Sequence, residues 1–352
     1  MRIYAISIKP LSPFGNPLKG DTIFGQFCWL AAENEGILPQ GLPHWIDCYR
    51  QRPFAVFSSA WPKIPGSDRL RYAVRRPELP LSFLGDPEGA DNCSQRLINR
   101  KARKNRKWLL LNDNLQAELS WDKMVDDVGL YGLISTSLPA TEQRRLRMAP
   151  THHRRPISTA EQQHNTINRL TMTTGKGEFA PYTTDNLHYM PGMELVVFVG
   201  LEAEAGDGET LERAFTLLGN WGFGRDASTG LGRFALTGVD EITLPSRGDA
   251  DACLTLGPSV PEKGSCRAIY CAPFVRFGRH GAQILHAGKP FKNPVVMADE
   301  GAVVVPNQFP EHPYIGRAVG NISKAQPEAV CQGYSLYLPI SMPDQAKGGS
   351  HD

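Results

Sequence analysis

The sequence predicts an α+β protein, and three observations lead to that fold class. The 352 residues include 28 prolines and 34 glycines, so turns are frequent and a helical bundle is disfavoured. Residues 1–9 alternate apolar and polar side chains as a strand does, and a loop then leads into a helical pattern at residues 20–36. Residues 193–239 hold a strand, a helix, a glycine-rich loop and a second strand. These two series are predicted to begin and to complete a ferredoxin-like (RRM-type) unit.

The length suggests two domains. We predict an N-terminal domain at 1–190, a C-terminal domain at 191–342 and a flexible tail at 343–352, with the glycine-rich loop at 219–234 between the two domains. The formal net charge is only +2, so any surface that binds nucleic acid must be local.

Composition also bears on the cellular location. No run of about eighteen apolar residues predicts a membrane span, and the first residues have a strand pattern rather than that of a signal peptide. The seven scattered cysteines contain no C-x-x-C pair, which favours free thiols in a reducing cytoplasm over disulfides or a zinc site.

The first helix is predicted to begin at Asp21 or Thr22, either of which is a good N-cap, and to stop at Gly36. Its N-terminus can hold an anion, and Lys19 lies beside it in sequence. The alternative is an ordinary capped helix whose apolar face packs on a sheet. Further along, residues 45–52 predict a short amphipathic helix and residues 53–62 a second strand.

Two basic regions follow. Residues 92–111 carry seven lysines or arginines and no acidic residue, a pattern that attracts a phosphate backbone or forms a solvated helix face. A second basic zone, expected around a loop, contains Arg144, Arg145, Arg147, Arg154 and Arg155.

Residues 164–182 predict a β-hairpin with its turn at Gly175–Gly177. The segment is dense in side chains that form hydrogen bonds, and Met172 is expected to be exposed. Such a ribbon can wedge into a nucleic-acid strand or stack on its bases. Alternatively, it contacts another protein subunit.

The glycine-rich loop at 219–234 lies between a helix and a strand. It is not a dinucleotide-binding turn, in which a strand precedes and a helix follows, and no Gly-Lys-Ser/Thr closes it as in a Walker loop. Glycines let backbone N–H groups approach phosphates closely. Phe223 is either a stacking platform or a core residue, and the whole loop is alternatively a merely flexible connection.

The remaining chain predicts strands at 268–277, 294–305 and 334–340, and a further glycine-bearing loop at 314–328 that could cradle phosphate. The histidines lack metal-ligand spacing, so neither a metal site nor a cofactor is predicted. His164, Lys176 and Tyr182 are the candidates for a metal-free ribonuclease site.

Four segments together, at 20–29, 164–182, 222–234 and 314–334, resemble the RAMP-superfamily subunits of type III CRISPR effector complexes. Within that superfamily the sequence is most similar to the Cas-five group, represented by the fourth subunit of the Csm complex. The motifs keep the family's order over nearly the whole chain. Met172 departs from the pattern, because a small residue such as glycine is expected there.

The resemblance implies two tandem ferredoxin-like folds with a glycine-rich loop and a β-hairpin thumb. It implies a non-catalytic subunit that caps the 5′ tag of the CRISPR RNA, near the target RNA, and contacts the large Cas-ten subunit and the backbone RAMP subunits. The alternatives are a RAMP endoribonuclease that processes repeat RNA and a purely structural assembly subunit. The residues predicted to bind RNA are Lys19, Asn165, Asn168, Arg169, Thr171, Phe179, Tyr182, Gly222, Phe223, Gly224, Arg225, Ser228, Thr229, Gly230, Arg233, Arg317, Ser323 and Lys324.

Overall fold

The computed structural model describes residues 1–66, 71–84, 93–148, 154–280 and 291–343, so most of the tail at 343–352 lies outside the described residues. The helices are α1 (Gly20–Glu33), α2 (Gly41–Cys48), α3 (Cys93–Asn105), α4 (Asp127–Ser137), α5 (Ala140–Met148) and α6 (Gly208–Trp221). The strands are β1 (Arg2–Pro10), β2 (Ala55–Lys63), β3 (Tyr72–Arg75), β4 (Trp108–Leu111), β5 (Met124–Val125), β6 (Ile157–His164), β7 (Tyr182–Tyr189), β8 (Glu194–Leu201), β9 (Phe234–Ile242), β10 (Ala252–Thr255), β11 (Cys266–Tyr270), β12 (Pro273–Arg276), β13 (Val295–Ala298), β14 (Val303–Pro306), β15 (Tyr314–Gly316) and β16 (Tyr334–Ile340). The α+β class predicted from the sequence is confirmed.

The largest sheet has seven antiparallel strands in the order β5-β4-β3-β2-β8-β1-β9. Its four strands β2, β8, β1 and β9 come from two strand–helix–strand series, since α1 connects β1 to β2 and α6 connects β8 to β9. β8 and β9 both follow residue 190, yet they flank β1. The predicted domain boundary at residue 190 therefore does not separate two sheets. β1, from before this residue, pairs with β8 and β9, from after it, in one sheet.

A second sheet has the order β11-β14-β10-β16-β15. The sequence predicts single strands at 268–277 and at 294–305, and each of these predictions was wrong. The first region divides into β11 and β12, and the second into β13 and β14, because β11 pairs with β14 while β12 pairs with β13 in a separate two-stranded ribbon. The strand predicted at 334–340 is confirmed as β16.

The two sheets share one apolar core, which extends from Ile6 on β1 to Leu336 and Leu338 on β16. A side chain that lies just before β16 completes a bulge in the first sheet. β2 shifts register between Phe57 and Ala60, and the buried Gln332 side chain accepts a hydrogen bond from Phe57 N (2.9 Å) and donates one to Phe57 O (2.7 Å). The backbone N–H and C=O groups of Phe57 at the bulge thus find their partners in a residue from the C-terminal part of the chain.

Two local predictions from the sequence need correction. The second helix spans Gly41–Cys48 rather than 45–52, and it begins directly after Gln40, whose φ of 65° breaks the preceding turn. In the second basic zone, Arg144, Arg145 and Arg147 lie on helix α5, where Glu142 pairs with Arg145 at 3.3 Å. The first basic region is helix α3 followed by strand β4.

Candidate nucleic-acid interface

The glycine-rich loop folds back on itself between α6 and β9. Gly222, Gly224, Gly230 and Gly232 have φ between +72° and +97°, which side chains other than glycine rarely adopt. A Cβ atom on Gly222 would lie 2.5 Å from Leu231 O, whereas one on Gly230 would meet open space. Gly222 is therefore required by the close packing of the loop, whereas Gly230 is required only by its backbone conformation.

Some loop N–H groups stay available for a ligand. The predicted phosphate donors Gly222 and Gly230 are already used, because they donate to Leu218 O (2.9 Å) and Ala227 O (3.0 Å). In the described chain, the backbone N–H group of Gly224 and those of residues 226–228 donate no hydrogen bond. The Ser228 hydroxyl is exposed as well. The donors that remain for an anion are therefore concentrated between Gly224 and Ser228.

Arg225 fastens the glycine-rich loop to two neighbouring segments. Its Nη2 donates to Asp185 O (2.6 Å) and Asn186 Oδ1 (3.3 Å) on β7, and its Nε donates to Gly15 O (3.3 Å). Its backbone N–H donates to Asn16 Oδ1 (2.7 Å). Most of the donors of this predicted RNA-binding arginine are thus engaged within the protein.

Three other loop residues also have internal partners. The Arg233 guanidinium donates to Asn220 O at the end of α6, where a cation complements the helix dipole. The Thr229 hydroxyl donates to Asp226 O (2.8 Å). The Phe223 ring is only 1% exposed and lies 6.4 Å from the Phe14 ring, so it is a core side chain rather than a stacking platform.

The predicted hairpin at 164–182 exists, but its strands were wrongly placed. β6 and β7 pair over eight residues, from Ile157–Tyr189 to His164–Tyr182, and residues 165–181 form the connection at the tip. We call this hairpin the thumb. β6 was missed because its sequence, ISTAEQQH, is exposed on both faces and lacks apolar alternation.

The thumb tip is a closed turn with apolar side chains on its outside. Asn168 N donates to Thr173 O (3.0 Å), and Asn168 Oδ1 accepts from Leu170 N (2.9 Å). The Thr171 and Thr173 hydroxyls bond each other at 3.0 Å. Asn168 and Thr171 therefore hold the turn, while Leu170 and Met172 are 95% and 77% exposed.

Below the tip, the predicted residues form a polar and aromatic surface. The His164 and Tyr182 rings stack with their centroids 5.1 Å apart and an interplanar angle of 13°. His164 Nε2 lies 3.0 Å from Thr184 Oγ1. Asn165 and Arg169 are exposed and have no side-chain partner in the described chain, whereas Phe179 is half-buried.

The N-terminus of α1 is an internal charge cluster rather than an open anion site. Lys19 occupies the N-cap position, and the predicted Asp21 or Thr22 cap was wrong because Asp21 instead binds Arg276 through two hydrogen bonds (2.5 and 2.9 Å). Lys19 Nζ pairs with Asp299 Oδ1 and with Glu300 Oε2 (3.2 Å). Its charge is therefore neutralised inside the protein.

This cluster shifts the pKa of both carboxyl groups. Burial raises the pKa of Glu300 to about 7, against the attraction of Lys19 and with the help of the neighbouring Asp299. Burial also opposes the ionisation of Asp299, but hydrogen bonds from Glu300 and Lys19 hold its pKa below the ordinary value.

In the late loop at 314–328, one of the residues predicted to bind RNA is buried and the other two are exposed. Ser323 is 7% exposed, and its Oγ accepts from Ala325 N (3.1 Å) and Gln326 N (3.0 Å) and lies 2.7 Å from His280 Nε2. Ser323 therefore holds the loop's shape and does not face a ligand. Arg317 and Lys324 are exposed, with no side-chain partner in the described chain.

The tertiary structure joins the glycine-rich loop to the base of the thumb through Arg225. Asn16, Asp185 and Asn186 complete this junction, and sequence reasoning missed all three because their role depends on contacts some 40 to 210 residues apart. Gly15 is visible in the sequence as a glycine, and the structure gives its reason, because a Cβ atom there would lie 2.6 Å from Arg225 O.

Two features are absent from the described residues. No cluster of three or more His, Cys, Asp or Glu side chains has the arrangement to hold a metal ion there. Across the same ranges, no helix combines the length and the apolar character needed to cross a membrane.

Solved structures share the fold of this chain, although its sequence matches no protein-family model and no curated protein significantly. A chain in the crystal structure of a Csm1–Csm4 cassette with pppApA is 17% identical with a TM-score of 0.54, over 98% of this chain and 100% of that chain. The cassette with cA4 gives the same identity and TM-score over 97% and 99%. A chain of the Csm3–Csm4 subcomplex of the type III-A CRISPR-Cas interference complex is 15% identical, with a TM-score of 0.54 over 97% and 100%.

These similarities are at the level of the fold. The protein is therefore an α+β chain with the fold of a subunit of type III CRISPR–Cas complexes over nearly its whole length. The resemblance predicted from the four sequence motifs is confirmed at this level.

Proposed function

We propose that this chain is a non-catalytic guide-RNA-binding subunit of a type III CRISPR interference complex. In this role it caps the 5′ tag of the CRISPR RNA and helps to dock the large Cas-ten subunit. The observation that carries the proposal is the nearly full-length likeness in fold to chains of Csm1–Csm4 and Csm3–Csm4 structures, found for a sequence with four RAMP-type motifs in the family's order.

The geometry supports recognition of single-stranded RNA by the loop and the thumb together. The free N–H groups between Gly224 and Ser228 bind phosphate oxygens, and the Ser228 hydroxyl bonds a phosphate or a ribose 2′-OH. Arg169 and Asn165 contact the backbone or splayed bases beside the thumb. Leu170 and Met172 insert between bases where the tag meets the spacer, and Arg225 fixes the angle between loop and thumb.

We also propose that the chain consists of two tandem ferredoxin-like units. In the first, the strands lie in the order β2-β8-β1-β9, that is, second, third, first and fourth along the chain. The second sheet repeats this order as β11-β14-β10-β16. Residues 256–265 and 307–333, which connect its strands, are fully described and contain no helix, so the second unit is a ferredoxin-like sheet without its usual helices.

The partners proposed with this role are the CRISPR RNA, the large subunit, a backbone RAMP subunit and target RNA near the tag. We propose the cytoplasm as its location. The cysteines whose side chains the structure describes are free thiols, as in proteins of reducing compartments.

The test is co-expression of the tagged chain with the neighbouring subunits and a CRISPR array, followed by RNA sequencing and crosslink mapping. The expected result is co-purified small RNA with a common 5′ end, crosslinked at 165–182 and 222–233. Recovery of the chain without RNA and without other subunits would overturn the proposal. Binding assays need a salt titration, because non-specific phosphate contacts weaken steeply with salt.

A repeat-processing endoribonuclease is the second candidate, and one observation favours it. The structure brings His164 and Tyr182, two of the three residues considered for a metal-free site, into a stack at 5.1 Å. Incubation of the purified chain with repeat RNA and EDTA tests this function. Cleavage at a defined position that is lost in His164→Ala would establish the nuclease and contradict the non-catalytic proposal.

A further inference from the structure

The two-stranded ribbon of β12 and β13 has one packed face and one bare face. On the packed face, Phe274 pairs across the strands with Met297 and Arg276 with Val295. Met297 and Val295 belong to a small buried cluster with Val260 and Ile322, and Arg276 binds Asp21 at the start of α1. The ribbon is thus fixed to the body of the protein from one side.

The opposite face carries apolar side chains into solvent. Val275 and Val296 are a direct cross-strand pair and are 44% and 65% exposed. Phe277, which directly follows β12, is 70% exposed. Phe291 extends the exposed surface at 68%. Contiguous exposed apolar side chains of this kind mark interaction sites. We call these four residues the ribbon stripe.

One unpaired cation borders the stripe. Arg279 forms an isolated bridge with Phe291, and its guanidinium lies 5.8 Å from the centre of that ring. No carboxylate of the described chain pairs with Arg279. An apolar surface with a single unpaired arginine at its end is complementary to an apolar protein surface that carries an acidic side chain.

The composition of the stripe favours a protein over RNA. Two of its four residues are valines, which offer no flat face for base stacking, and the guanidinium of Arg276, between Val275 and Phe277, is engaged by Asp21 inside the protein. RNA binding takes its affinity mainly from several lysines or arginines on the phosphate backbone.

From these contacts, and resting on the proposed function, we infer that the ribbon stripe is a docking surface for another protein subunit of the complex. That subunit presents an apolar strand or helix face with a carboxylate opposite Arg279. The stripe shares no residue with the glycine-rich loop or the thumb, so substitutions in the stripe leave the side chains proposed to contact RNA unchanged.

The experiment compares two valines of nearly equal exposure. Val296→Glu lies in the stripe, and Val128→Glu, on α4, changes a valine that is 64% exposed. Each variant, with Phe277→Ser and Arg279→Glu, is co-expressed with the large subunit, the backbone subunit and the CRISPR array, and the tagged chain is purified. We expect at least a tenfold loss of one subunit for Val296→Glu and a clear loss for Phe277→Ser and Arg279→Glu, with wild-type recovery for Val128→Glu. Circular dichroism verifies that each variant folds.

Several outcomes would overturn the inference. Wild-type assembly by all three ribbon variants would do so while leaving the proposed function intact, as would equal losses in Val296→Glu and Val128→Glu. Full subunit recovery with loss of RNA crosslinks at Phe277 would assign the ribbon to nucleic acid instead. A homodimer of the isolated chain that Val296→Glu dissociates would assign it to self-association. If the wild-type chain assembles with neither subunit nor RNA, the proposed function fails and this inference fails with it.

Discussion

Arg225 and Arg169 are both predicted to bind RNA, but the structure gives them different surroundings. Arg225 donates to three oxygens of the protein, whereas Arg169 is exposed without a partner in the described chain. We expect Arg225→Ala to lower the free energy of unfolding by about 1–3 kcal/mol, because hydrogen bonds from a charged donor are lost. Arg169→Ala should leave stability unchanged and reduce RNA retention. Urea unfolding and RNA recovery from the purified complex measure the two effects, and equal stability of both variants would contradict this division.

Gly232 and Gly230 provide a second pair of contrasting residues. Both have positive φ, but a Cβ atom on Gly232 would overlap the backbone N and O of Phe223, while one on Gly230 meets nothing within 4 Å. Gly230→Ala should therefore cost only the backbone strain, about 1–2 kcal/mol. Gly232→Ala should cost clearly more, since the loop must also open. Thermal unfolding of both variants measures the difference, and a smaller loss for Gly232→Ala would disprove the packing argument.

Glu300 makes stability depend on pH. The pKa of this carboxyl group is about 7 in the folded chain against an ordinary 4.5, so the folded state holds its proton more tightly than the unfolded state. Stability is therefore expected to fall as the pH rises from about 4.5 to 7, by at most about 1.4 kcal/mol per pH unit for one proton. Above pH 7 this contribution is constant.

Glu300→Gln should remove that slope, because glutamine does not titrate. Urea unfolding of the wild type and the variant at intervals between pH 4.5 and 8 measures it. Glu328→Gln, at an exposed position, serves as the control and should keep the wild-type slope. An unchanged slope in Glu300→Gln would show that another group is responsible.

At the scale of elements, different residues of the thumb hold its shape and face the solvent. Its strands and the Asn168 turn hold the shape, while Leu170 and Met172 point their apolar side chains into solvent. The double variant Leu170→Ser/Met172→Ser should therefore unfold at the wild-type temperature. In the assembled complex it should reduce the fluorescence of 2-aminopurine placed in the guide where tag meets spacer, because bases that are not wedged apart stay stacked. Unchanged fluorescence would remove the tip from the proposed mechanism.

Sequence patterns predicted some elements much better than others. β8, α6 and β9 were predicted because a strongly apolar strand and a capped amphipathic helix have clear periodicity. The thumb strand β6 was missed, since a strand exposed on both faces has no such pattern. The sequence pattern also did not predict the division of residues 268–277 between β11 and β12, because this division depends on the distant strand with which each half pairs.

At the scale of the whole molecule, Gln332 connects the two sheets. Its fully buried carboxamide bonds both backbone groups of Phe57 at the β2 bulge. Gln332→Leu would leave a buried N–H and a buried C=O without partners, at about 1–3 kcal/mol each. We expect a loss of about 2–6 kcal/mol in the free energy of unfolding, measured with urea. Gln163→Leu, at an exposed position on the thumb, is the control, and a similar small effect of both changes would contradict the role of Gln332.

The sequence by itself determined the α+β class, the order of the principal helices and strands, and the resemblance of four motifs to RAMP subunits. These properties depend on periodicity and on local runs of residues, which the chain order preserves. Only the tertiary structure decided which predicted residues remain open to a ligand. Lys19 pairs with Asp299 and Glu300, Ser323 is buried, and Arg225 joins the loop to the thumb, because each side chain meets partners that are distant in sequence. Burial and long-range pairing are properties of the folded chain, and no local pattern encodes them.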